Sequence, residues 1–174
     1  FVVFPTGFDP QAVFGTFSNE GTTYTVGTTL VVQNGRTIDL AGEIDDPIDT
    51  AGTVSLTDAL VATSDITIRE SGRVTGPGSV VVRGGTIRGK GRIETPMQVE
   101  GGTVAPGLSP GALIIDGDWA MDANSVLELE IFGTESEQFD RLVVSGSTTL
   151  GGTLSVVLGT DLAIGTTLLM IENT

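Results

Sequence analysis

Short runs in which apolar and polar residues alternate follow one another along most of the chain. The segments 66–68 (Ile-Thr-Ile) and 126–131 (Val-Leu-Glu-Leu-Glu-Ile) show the pattern clearly. Successive side chains of a β-strand point to opposite faces, so a period of two predicts strands with one buried face. Only residues 9–14 are compatible with a helical turn. The pattern therefore predicts an all-β fold.

A longer period is superimposed on these strands. Gly35, Gly52, Gly85 and Gly102 each begin a short β-branched run, and the steps between them are 17, 33 and 17 residues. A fixed spacing of this size is typical of a solenoid, in which each repeat stacks on its neighbours. An antiparallel sandwich would also have short strands, but it would show more two-residue hairpin turns than the single Asn-Gly at 34–35. We predict a right-handed parallel β-helix with coils of about 17 residues.

The two periods together predict which side chains fill the interior. If the alternation within each run is aligned with the 17-residue repeat, one set of apolar residues points inward. These residues are Val54, Leu56, Ile66, Ile68, Val80, Val82, Ile87, Val104, Ile114, Leu127, Leu129, Val143 and Leu154.

Two stretches interrupt the rhythm. The acidic segment 42–51 is interpreted as a loop that protrudes from a coil, because Asp and Pro cluster in it. The turn-rich segment 105–111 (Ala-Pro-Gly-Leu-Ser-Pro-Gly) precedes a longer strand pattern, so we expect larger and less regular coils after Ala105. We predict an N-terminal cap or docking segment (residues 1–20) followed by a single β-helix domain (residues 21–174).

Both ends of the chain are apolar. Five of the seven Phe residues lie within the first 17 positions. Strand edges at the ends of a solenoid need a cover, so this segment is expected either to close its own first coil or to dock on the last coil of another copy. Repeated docking of that kind would build a fibre. The candidate assembly residues are Phe1, Val2, Val3, Phe4, Phe8, Leu168, Leu169 and Ile171.

The amino-acid composition limits the kinds of chemistry and the partners that are expected of this chain. Gly and Thr number 25 each, which suits short strands joined by tight turns, while Cys and His are absent. The chain therefore lacks disulfides, thiol chemistry and the commonest general base. The net charge of −14 opposes binding to nucleic acid or anionic membranes. The start without Met suggests a processed product, consistent with export.

Charged clusters offer three candidate sites. Asp45, Asp46 and Asp49, and separately Asp116 and its neighbours Asp118 and Asp122, are compatible with Ca²⁺, although solvated turns are the preferred interpretation and no cofactor is expected. Six cations fall within 24 residues: Arg69, Arg73, Arg83, Arg88, Lys90 and Arg92. They form either a cationic band for a polyanion or partner, or a surface with local charge pairing.

Two later segments resemble a known class of protein. They are GGTVAPGLSPGALIIDGDWAMDANSVLELEI (101–131) and FDRLVVSGSTTLGGTLSVVL (139–158). They are similar to the β-strand-repeat passenger segments of bacterial autotransporter-like adhesins and of PEP-CTERM-type exported surface proteins. This resemblance implies a β-helix displayed at a cell surface, and it brings no catalytic residues with it. It differs from that group in that no anchor segment or translocator is predicted within residues 1–174.

We therefore expect a structural or adhesive extracellular protein rather than an enzyme. Its expected partners are copies of itself or other surface proteins, with polysaccharide as a further candidate. The alternative is a carbohydrate-active β-helix enzyme of the polysaccharide lyase or glycoside hydrolase type. A groove lined by three or more carboxylates, with an Arg or Lys within reach, would favour that alternative.

Overall fold

The computed structural model describes Gly27 and residues 29–174, and this part of the chain is all-β. It contains eighteen short strands connected by tight corners. The strands are β1 (Leu30–Val32), β2 (Thr37–Ile44), β3 (Ile48–Thr50), β4 (Thr53–Ala62), β5 (Ile66–Ile68), β6 (Arg73–Thr75), β7 (Val80–Val82), β8 (Thr86–Gly89), β9 (Arg92–Ile93), β10 (Met97–Val99), β11 (Thr103–Pro106), β12 (Ala112–Ile115), β13 (Trp119–Met121), β14 (Val126–Ile131), β15 (Arg141–Val144), β16 (Thr148–Thr149), β17 (Thr153–Leu158) and β18 (Ile171–Asn173).

The strands form a parallel β-solenoid with three faces. The first face is the ladder β1-β3-β5-β8-β11-β14-β17. Strands β2 and β4 are long enough to turn a corner, so the first half of β4 pairs with β6 and its second half pairs with β7. From there β6-β9-β12-β15-β18 form the second face and β7-β10-β13-β16 the third. All these pairings are parallel, which confirms the predicted fold class.

The coils lengthen toward the end of the chain. One stack on the first face runs through Leu30, Ile48, Ile66, Ile87, Val104, Leu127 and Leu154. Successive members lie 18, 18, 21, 17, 23 and 27 residues apart. The predicted repeat length describes the early coils, and the expected enlargement after Ala105 is confirmed.

A continuous apolar core fills the solenoid. Ten of the thirteen residues predicted to face inward are buried, because each strand alternates as expected and a coil covers it on either side. These ten are Val54, Leu56, Ile66, Ile68, Val80, Val82, Ile87, Val104, Leu127 and Leu129.

Two residues predicted to point inward point outward instead. Ile114 and Val143 lie half-buried on the outside, while their neighbours Leu113, Ile115, Leu142 and Val144 are buried. The runs Leu-Ile-Ile and Leu-Val-Val are apolar on both faces, so alternation alone does not set their phase. Stacking does: Ile115 lies over buried Ile93, and Ile114 lies over outward Arg92.

The acidic segment is not a protruding loop. Strand β2 continues to Ile44 and β3 begins at Ile48, so only residues 45–47 form a corner between two faces. The Asp residues that suggested a loop point outward or bond to the adjacent coil. The proposed cap or docking segment 1–20 and the helical turn at 9–14 lie outside the described residues.

One corner requires glycine for a steric reason. Gly89, at the end of β8, has a φ of 142°, and a Cβ placed there would lie 1.8 Å from the carbonyl oxygen of Ile68. Hydrogen bonds hold neighbouring strands only about 4.8 Å apart. A side chain at Gly89 would therefore push β8 away from β5 and break the hydrogen bonds between them.

Candidate functional site

A groove of about 260 Å³ runs along the outside of the first face, beside the turn 107–111. Glu128 and Glu130 project into it because they alternate with buried Leu127 and Leu129 in β14. Arg88, from β8, and Asp140, which precedes β15, complete the charged lining. The groove therefore holds three carboxylates and one guanidinium, the pattern set out above for the enzyme alternative. The Leu-Glu-Leu-Glu alternation carried the signal for the two glutamates.

Asp140 is the buried carboxylate of this groove, and both its oxygens accept hydrogen bonds. Oδ1 accepts a hydrogen bond from the Gly111 N–H at 2.9 Å, and Oδ2 accepts one from the Glu130 N–H at 2.9 Å. Burial raises the pKa of Asp140, and the two backbone hydrogen bonds partly offset that rise. The side chain thus ties the turn to β14. The groups left for other chemistry in this groove are Glu128, Glu130 and Arg88.

The glutamates are poorly arranged for glycoside hydrolysis. That reaction uses one carboxyl group on each side of the scissile bond. Glu128 and Glu130 project from the same strand, while the turn residues Pro106–Ser109 of the lining supply no carboxyl group. The groove is therefore better suited to binding a polar ligand than to catalysis by a general acid and a general base on opposite sides of a bond.

Five of the six cations of the predicted band are paired with carboxylates of adjacent coils. The Arg69–Asp49 pair is bidentate, with Nε donating to Oδ1 at 2.7 Å. The Arg88–Asp65 pair is looser, at 3.9 Å. The five pairs are Arg69–Asp49, Arg73–Glu94, Arg83–Glu100, Arg88–Asp65 and Arg92–Asp116. Local charge pairing, one of the two interpretations left open, is thus what these arginines show.

The band also spans more than one face. Arg73 and Arg92 stack on each other in the second face, whereas Arg88 lies in the first. Arg83 follows β7 of the third face. The hydrogen bonds that Arg69 donates to Asp49 favour the charged form of Arg69 and raise its pKa. Lys90 is the member of the band that has no such partner within residues 29–174.

Two of the aspartates proposed for Ca²⁺ accept hydrogen bonds from the protein itself, Asp118 from the adjacent coil and Asp122 within its own corner. Asp118 accepts hydrogen bonds from the Ser147 N–H and hydroxyl, which lower its pKa. Asp122 accepts one from the Ser125 hydroxyl at 2.6 Å, and this bond is the main cause of its lowered pKa. Over the described residues, no three acidic side chains come close enough to hold a metal ion.

The last coil leaves its interior side uncovered. Leu154, Val156 and Leu158 of β17 stack on the buried residues of β14, yet they are 58%, 45% and 61% exposed. Leu154 therefore has the predicted orientation but not the predicted burial, because no further coil within residues 29–174 covers it. A small apolar cavity of about 200 Å³ opens here between Leu154 and Ile171.

The predicted assembly residues divide between this end and the undescribed start. Leu169 is 62% exposed, and Leu168 and Ile171 are half-buried. The N-terminal members, Phe1–Phe4 and Phe8, lie outside the described residues.

Comparisons with known proteins do not place the chain in a family. No family model, no curated protein and no solved structure matches it. In the part that the structure describes, no helix is long and apolar enough to span a membrane.

Proposed function

We propose that this chain is a structural or adhesive β-solenoid of an extracellular or cell-surface protein, and that its last coil docks another copy head to tail. The observation that carries the proposal is the uncovered row Leu154, Val156 and Leu158. Export and surface display rest on the resemblance of residues 101–158 to exported adhesin segments.

The edges at the last coil are of a kind that accepts further strands. Strands β16, β17 and β18 each pair with one neighbouring strand, and the other edge of each has no partner strand within residues 29–174. An added parallel strand would extend these ladders and bury the apolar row. Burial of the three side chains would contribute roughly 25 cal/mol for each Å² removed from water.

The proposed occupant is the Phe-rich start of a second copy. Phe1, Phe4 and Phe8 lie within eight residues of one another in the sequence, and they would supply apolar side chains to the apolar row of the last coil. Because the two surfaces differ, the contact is heterologous and does not close, so it would build a fibre.

Light scattering after size-exclusion chromatography tests this assembly. We expect the mass of the unmodified chain to grow with concentration, and Leu154→Asp combined with Val156→Asp to leave a monomer. Deletion of residues 1–8 should have the same effect. Leu108→Asp is a matched control, because Leu108 is an exposed leucine on the side of the solenoid. A monomer at every concentration, or assembly that survives Leu154→Asp with Val156→Asp, would overturn the proposal.

The second candidate function is that of a carbohydrate-active enzyme, favoured by the three carboxylates and Arg88 in the groove. If it is correct, incubation with acidic or neutral polysaccharides should release new reducing ends or unsaturated sugars. Glu128→Gln and Glu130→Gln should each abolish the release. Release that is unchanged in both variants, or absent in the unmodified chain, rejects catalysis in this groove.

A further inference from the structure

Lys90 and Arg141 differ from the paired arginines in having no ion pair within residues 29–174. They line a cleft of about 470 Å³ at the corner where the first face turns into the second. The Arg141 Nε is buried and has no hydrogen-bond partner. The positive charge of this guanidinium is thus unpaired within residues 29–174, so an anion in the cleft would supply the partner that the other arginines find in the protein.

Gly111 holds the two cations at the same place. Its carbonyl oxygen accepts a hydrogen bond from the Arg141 N–H at 2.9 Å. The alkyl stem of Lys90 lies across its Cα, so that a Cβ there would be 2.5 Å from the lysine Cε. Gly111 is itself fixed by Asp140. The two cations therefore come from the coils on either side of Gly111, since β12 pairs with β9 on one edge and with β15 on the other.

The rest of the lining is mixed in a way that restricts the ligand. Glu70 and Glu137 supply carboxylates, Ser109 and Ser136 supply hydroxyl groups, and Pro110 and Ile114 supply apolar surface. The carboxylates oppose a dianion such as phosphate, and the net charge of −14 opposes a densely charged polymer. The same carboxylates and hydroxyl groups can accept hydrogen bonds from several ligand hydroxyl groups.

We propose that this cleft binds a carboxylated sugar, a uronate residue of a polysaccharide, with Lys90 and Arg141 on its single carboxylate. Charge-assisted hydrogen bonds of this kind are among the stronger ones in proteins. The ring hydroxyl groups would meet Glu70 and Glu137, and the C–H face of the ring would pack on Pro110 and Ile114. An acidic peptide would also satisfy the cations, but it offers one backbone N–H per residue where a sugar ring offers several hydroxyl donors.

The inference specifies a ligand for the adhesive role proposed above, and its biological meaning rests on that role. Binding is measured separately from assembly, by calorimetry on the monomeric Leu154→Asp with Val156→Asp chain. The probes are short oligosaccharides that carry a single glucuronate or a single galacturonate residue, the matching neutral oligosaccharides, and inorganic phosphate. The two uronates distinguish which ring configuration the cleft takes.

Lys90→Gln and Arg141→Gln should each weaken uronate binding about tenfold or more, since each removes one charge-assisted contact. Arg83→Gln is the matched control, because Arg83 is a paired cation at a different corner, and it should leave binding unchanged. No uronate binding, equal binding of neutral sugar or phosphate, or insensitivity to both Gln variants would overturn the inference. None of these outcomes depends on whether the chain forms fibres.

Discussion

The middle coils and the last coil carry the same alternation of residues but differ in what covers them. Leu56, in β4, is fully buried, since strands of adjacent coils lie on both sides of it. Leu154 stacks in register on Leu127, yet more than half of its surface is exposed. The comparison shows that burial in a solenoid depends on the neighbouring coil as much as on the strand itself.

The largest expected effect on stability comes from truncating a buried leucine of the middle coils. Leu56→Ala should lower the free energy of unfolding by about 2–4 kcal/mol, because stacked coils collapse poorly around a cavity. Leu154→Ala should cost less than about 1 kcal/mol in the monomer, since its side chain is already in water. Urea denaturation of both variants measures the difference. Equal losses would mean that the last coil is covered in solution.

The next effect tests the phase of the middle coils. Ile115→Ala should cost about 2–4 kcal/mol, whereas Ile114→Ala, one position away and half-buried, should cost about 1 kcal/mol. The two variants remove the same atoms, so composition does not differ between them. If Ile114→Ala were the more harmful substitution, the register of β12 would be wrong.

Two aspartates should respond to pH in opposite directions. Burial raises the pKa of Asp140, so the folded chain keeps this proton to higher pH than the unfolded chain does, and stability rises as pH falls through the folded pKa. The Ser125 hydroxyl lowers the pKa of Asp122, so its contribution is present above the unfolded pKa and is lost as pH falls through the folded pKa.

Carboxyl NMR titration checks this order directly. Asp140 should titrate above the ordinary aspartate range, and Asp122 below it. Asp122→Asn should reduce the loss of stability on acidification, and Asp140→Asn should remove the opposing gain. A reversed order of the two titrations would contradict the burial of Asp140.

The smallest effect concerns the exposed ion pairs. A double-mutant cycle with Arg83→Gln and Glu100→Gln should give a coupling of about 0.2–1 kcal/mol that falls as salt is added. Lys90→Gln should change the free energy of unfolding by less than about 0.5 kcal/mol, since Lys90 has no ion pair within the described residues. A larger loss at Lys90 would indicate a structural role instead of a ligand contact.

The candidate sites were less predictable from sequence than the fold. The outward positions of Glu128 and Glu130 follow from alternation alone, because one strand carries both. Their meeting with Arg88 depends on a coil 40 residues earlier, and the cleft joins Lys90 to Arg141 across 51 residues. The sequence spacing offers no measure of such distances, since coil lengths after Ala105 vary.

The sequence by itself determined the strands, the solenoid and most inward residues. The alternation of apolar and polar residues and the regular spacing of Gly are local properties, and both recur in successive coils. Tertiary structure alone decided the phase of Leu113–Ile115, the carboxylate partner of each paired arginine and the position of Arg141 beside Lys90. These depend on how one coil is placed over the next, and that register is set by packing and backbone hydrogen bonds between coils. The exposure of Leu154 was also decided by tertiary structure, because it depends on whether another coil within residues 29–174 packs over β17.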